Sequence, residues 1–160
     1  MKGNLQLRVV SVYCPTNLDH ISVSEHNPQR RLANDLAREA IKWASQVDAF
    51  VIGGDFNETS LLEDRIMGGK GEQKRKLAKT QTKNTINGVM LDPAHGLADL
   101  YFKCNGIEGI EQGRGATRED CRGGEARLDY LFAPCQWLQK ASSIECEVSQ
   151  EFASDHSSSG

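Results

Sequence analysis

A strand, a helix and a second strand succeed one another in the first third of the chain, and that succession constrains the fold more than any single residue does. Leu5 to Tyr13 (LQLRVVSVY) alternates and is rich in valine, which predicts a strand that Pro15 ends. From Asn27 to Gln46, Leu32, Leu36, Ala40 and Trp43 recur at helical spacing, with Pro28 at the start. Val47 to Ile52 is a short apolar run and predicts the next strand. Strand, helix, strand is a crossover unit and points to the α/β class. The two strands need not be immediate neighbours in the sheet.

The rest of the chain is less regular. A polar loop follows Asn57 and includes Gly68 to Gly71. Gln73 to Lys83 carries Lys74, Arg75, Lys76, Lys79 and Lys83, and suggests a basic helix that could track a nucleic-acid backbone. GLADLY, residues 96–101, suggests a short helix or turn. Residues 103–124, rich in glycine and charge, read as a long loop; Arg114, Arg118 and Arg122 make it a candidate for substrate choice. ARLDYLFAP, 126–134, predicts a strand ended by Pro134, and SSIECEV, 142–148, predicts the last one. Residues 157–160 form a tail.

Composition narrows the function. The 160 residues suit one ordinary domain. No apolar run approaches the roughly 18 residues of a membrane span. Nineteen basic residues against 22 acidic ones give a net charge of −3, so a strongly basic nucleic-acid binder is not indicated. A nuclease with an acidic, metal-binding site remains compatible. Five cysteines without CxxC spacing point to free thiols in a reducing compartment, hence to an intracellular protein.

Three segments place an acid within or just after an apolar strand: GDFN (54–57), RLDY (127–130) and SDH (154–156). Upstream, SVYCPTN (11–17) ends the first strand. Asp55 and Asn57, two positions apart, are ordinary turn formers when taken alone. Ser154 to Ser157 superficially suggests a serine hydrolase, but no nucleophile elbow is present. In this order, the four segments resemble the endonuclease/exonuclease/phosphatase (DNase I-like) family, with Thr16 inserted into a Tyr-x-Pro-Asn strand end.

The resemblance covers residues 1–156 and implies the second half of that domain: half of a four-layer α/β sandwich, with a mixed sheet and outer helices. It implies hydrolysis by activated water with a divalent metal, magnesium or alternatively manganese, held by hard oxygen ligands. Asp55 resembles the residue that orients or deprotonates the water, and Asn57 the amide that holds the phosphate. Asp129 resembles the partner of the phosphate-facing histidine, here His156, and Asp155 a metal-side carboxylate. Tyr13 and Asn17 would contact substrate. The style of VYCPTN and GDFNETS is similar to endonucleases of non-LTR retrotransposons, which makes DNA the expected substrate. A phosphomonoester, a phosphoinositide or a sphingolipid is the alternative within the fold, and an inactive fragment that only associates is the alternative outside it. Ala126 stands where some nuclease relatives carry an aromatic. The family's first half supplies an asparagine and a glutamate to the metal, so a missing half or a second copy is an expected partner. A half alone would also leave an apolar sheet face uncovered.

Overall fold

A computed structural model of the protein describes residues 4–14, 28–57, 59, 65–67, 76–77, 86–111, 116–119, 124–140 and 144–147. Strand β1 (Leu7–Tyr13) leads to helix α1 (Pro28–Gln46) and strand β2 (Ala49–Asp55). Short strands β3 (Arg65–Met67) and β4 (Lys76–Leu77) precede a π-helical turn at Ile86–Met90 and a 3-10 turn at Pro93–His95. Strand β5 (Leu97–Asp99) runs directly into helix α2 (Leu100–Glu111). Strands β6 (Arg118–Glu119), β7 (Glu125–Ala126) and β8 (Asp129–Pro134) and helix α3 (Cys135–Lys140) follow.

The main sheet has the order β1-β2-β8-β5, parallel between β1 and β2 and antiparallel elsewhere. A mixed sheet carrying helices makes the fold α/β. A second, small antiparallel ribbon has the order β4-β3-β7-β6. One face of the main sheet builds the core. There α1 lays Ala33, Leu36, Ala37 and Ala40 towards Phe50, Ile52 and Phe132, with Ile86, Val89 and Met90 completing the cluster. Small alanines let helix and sheet approach closely, and burying each large apolar side chain contributes about 1.5–3 kcal/mol. Trp43 meets Phe50 edge-on at 5.7 Å and lies under the Arg8 guanidinium at 5.2 Å. Among the described residues, the opposite face is covered at its β8–β5 end, where Leu138, Ile144 and Cys146 pack with Ala133, Ala98 and Leu100. At the β1–β2 end Leu7 is 56% and Val9 70% exposed.

Several expectations change. β1 and β2, whose adjacency the sequence leaves open, are immediate neighbours, and β2 runs past the expected end at Ile52 through both glycines to Asp55. Gly54 permits this. Its φ is +144°, and a Cβ there would stand 1.9 Å from the Val12 carbonyl oxygen, so only glycine fits. Within GLADLY, Leu97–Asp99 forms a strand, because it pairs with Ala133 and its neighbours in β8. Much of the expected loop after residue 103 is helix: α2 reaches Glu111, kinked at Gly106, where φ is +65° and ψ −170°. Lys76–Leu77, expected in a basic helix, pairs with Ile66–Met67 instead; the rest of 73–83 lies outside the described residues. Ile144 to Glu147 joins no sheet. Side chains of α2 take its carbonyls, with Asn105 Nδ2 donating to Cys146 O at 2.8 Å and Cys104 Sγ to Ile144 O at 3.5 Å.

Candidate active site

The site begins where β1 and β2 end and β8 starts. Register pairs Tyr13 with Asp55 and Asp55 with Asp129, so the three residues form one row across three adjacent strands. Partners at one register position share a face of the sheet. Tyr13 is exposed, Asp55 buried and Asp129 half-buried. Two carboxylates at directly opposed positions oppose pairing rather than favour it. Stability therefore does not account for this choice of residues.

Phe56 holds the row in place. Its ring is buried and meets Tyr130 and Phe132 edge-on, at 6.0 and 5.2 Å. Its N–H donates to Leu128 O at 2.8 Å, tying the end of β2 to the residue before β8. Asn57 then takes a left-handed conformation, φ +50°, which asparagine tolerates better than most residues. Its backbone N–H donates to Asp55 Oδ1 at 2.8 Å, and its Nδ2 donates to the Cys14 carbonyl. Cys14 N in turn donates to Asp55 O at 2.8 Å. Asn57 thus cross-links the ends of β1 and β2. A second amide hydrogen and the Oδ1 of Asn57 remain without a partner among the described residues.

Beside Asp129 opens a cavity of about 300 Å³, which Tyr101, Thr117, Leu131 and Cys146 also line. The Asp129 carboxylate has no hydrogen-bond partner among the described residues. Behind it lies an element the sequence does not announce. Arg127, 2% exposed, directs Nη1 at both oxygens of buried Asp99, at 2.8 and 3.0 Å. The guanidinium also lies 4.4 Å over the Tyr130 ring and 5.5 Å from that of Tyr101. Arg127 faces Asp99, 28 residues away, and no local spacing signals a pair so distant.

Of the sequence-derived candidates, Tyr13, Asp55, Asn57 and Asp129 come together. Asn17, Asp155 and His156 lie outside the described residues, as do Arg114 and Arg122. Among the described residues no group of three His, Cys, Asp or Glu side chains could hold a metal ion. The donors that do meet are carboxylates, which fit magnesium or manganese in kind. Among the described residues Cys14, Cys104, Cys135 and Cys146 form no disulfide. Among the described residues no helix is long and apolar enough to cross a membrane.

No model of a known protein family matches the chain, and no curated protein matches it. Among solved structures it is similar to truncated Caenorhabditis elegans TDP2, with 12% identity and a TM-score of 0.45. That match covers 82% of this chain and 42% of the other, so the chain spans less than half of that structure's length.

Proposed function

We propose that this chain hydrolyses phosphodiester bonds with activated water and a divalent metal, as a DNA endonuclease of the endonuclease/exonuclease/phosphatase type. The observation that carries the reading is the row Tyr13–Asp55–Asp129 at the sheet end, with Asn57 locked beside it. Asp55 orients the attacking water and accepts its proton, and its contact with the Asn57 N–H fixes the direction of the carboxylate. The spare Asn57 amide hydrogen and the exposed Tyr13 hydroxyl donate to phosphoryl oxygens. Asp129 orients His156, and His156 donates to the phosphate. Asp155 is the residue that would hold magnesium or manganese. The bound ion supplies charge neutralisation at the phosphoryl group.

The test is nicking of supercoiled plasmid by the 160-residue protein with magnesium, manganese or EDTA, beside Asp55→Ala and His156→Ala. Metal-dependent nicking that falls at least about 100-fold in both variants is the expected result. Equal nicking by folded wild type and variants, or none by any, sinks the reading. Phosphomonoester, phosphoinositide and sphingolipid substrates are then the next to assay. The exposure of Leu7 and Val9 on the apolar face favours one addition: the protein works against a second polypeptide surface, either a preceding half-domain or another copy of itself.

A further inference from the structure

We propose that Thr117 is the positioning residue for Asp129, holding it in the row with Asp55 by capturing two consecutive backbone amides. The catalytic consequence rests on the reading of Asp129 as a site residue; the geometry does not. Thr117 Oγ1 accepts from Leu128 N at 3.0 Å and from Asp129 N at 3.2 Å. A hydroxyl oxygen has two lone pairs, so both are committed to these amides. Thr117 is itself fixed, because its N–H donates to Ala126 O at 3.0 Å. The turn from Ala126 to Asp129 is thus closed by one side chain eleven and twelve residues upstream.

The same short segment is gripped from its other sides. Leu128 O accepts from Phe56 N, which fixes its height against β2. Arg127 is anchored through its side chain to Asp99, and its carbonyl accepts from the Tyr130 hydroxyl at 3.1 Å. Each of these contacts holds Arg127 or Leu128. Only the Thr117 oxygen reaches the amide of Asp129 among the hydrogen bonds of the described residues. Thr117 and Asp129 line the same cavity, so the clamp sits at the wall where substrate would enter. Losing the oxygen would leave two amides unsatisfied and free the first residue of β8 to shift. Small misplacements of a reacting group cost turnover on the order of 10- to 100-fold.

The experiment compares wild type, Thr117→Val and Thr117→Ser as full chains. Valine keeps the shape and removes the oxygen; serine keeps the oxygen. Amide hydrogen exchange is read at Leu128 and Asp129, with Ile52 and Phe132 as core references, and kcat and KM are read on plasmid with magnesium. The expected result is protection of both amides in wild type and Thr117→Ser, lost in Thr117→Val while the core references stay protected. In parallel, kcat falls about 10- to 100-fold in Thr117→Val, KM changes little, and serine restores most of the turnover. Unprotected Leu128 and Asp129 amides in wild type overturn the proposal, even if the valine variant fails to fold. So does a folded Thr117→Val protein with wild-type protection and kcat. If wild type shows no cleavage, the phosphodiesterase reading fails instead, and exchange at the two amides alone decides whether Thr117 holds Asp129.

Discussion

Asp55 and Asn57 owe their usefulness to the residue between them. A buried aromatic anchored on Tyr130 and Phe132 turns two flexible polar side chains into fixed ones, since neither neighbour can move without extracting the ring. Arg127 does comparable work by a costlier route, through a buried charge whose desolvation is offset by Asp99 and by the two tyrosine rings among its contacts. Arg127→Met should destabilise the protein by about 3–5 kcal/mol, because it takes the guanidinium charge away from a carboxylate, Asp99, that stays in the interior. The double variant Asp99→Leu/Arg127→Met should recover most of that loss. Urea unfolding of the two variants and wild type measures both; a double variant as unstable as the single one would refute the buried-pair account. At this scale the sequence was informative about Asp55, Asn57 and Asp129, which stand in recognisable strings. It was silent about Arg127 and Thr117, whose meaning comes from partners brought near by the fold.

Elements differ in legibility for a related reason. β1, α1, β2 and β8 carry their own periodicity, so local pattern suffices to find them. β3, β4, β6 and β7, two or three residues each, exist only because a partner strand lies alongside, and nothing in so short a run specifies that. α2 is hidden by Gly106 and Gly109, which lower helix propensity in a segment that packing nevertheless holds. The seam between α2 and Ile144–Glu147 makes a pH prediction. Burial, then Cys104 and Asp99, push the Cys146 thiol above its ordinary range. Burial, then Asp99 and Glu145, push Cys104 up as well. With raised folded values, the native protein retains thiol protons that the unfolded chain has released. This stability is fully present below the unfolded thiol value, about 8.5, and is lost as pH rises through the folded values. Unfolding free energy should therefore decline more steeply from about pH 8.5 to 10 in wild type than in Cys104→Ala/Cys146→Ala. Parallel pH profiles for the two proteins would show that these thiols carry no such linkage.

For the whole molecule, the unequal treatment of the two sheet faces is what matters. Parallel strands are ordinarily covered on both sides, yet β1 and β2 have α1 on one face and, among the described residues, nothing over Leu7 and Val9 on the other. Val9 stands opposite Val51, and Leu131 fills the space above Gly53, so the exposed side chains join into one apolar surface ending at the row Tyr13–Asp55–Asp129. A surface of that character adjoining a candidate active site is a docking face in the same sense that a core is, and it sets how mutations there should behave. Val9→Lys should cost less than about 1 kcal/mol in a monomer, because the side chain is already in water. It should also abolish binding of a hydrophobic dye and any concentration-dependent self-association seen by sedimentation velocity. A substitution costing several kcal/mol would mean that Val9 is covered within the monomer itself. Wild type that neither binds dye nor associates would mean that this face needs no second surface. If instead the dye signal and the association vanish together at small cost, the row of site residues borders an interface, and turnover should rise with protein concentration.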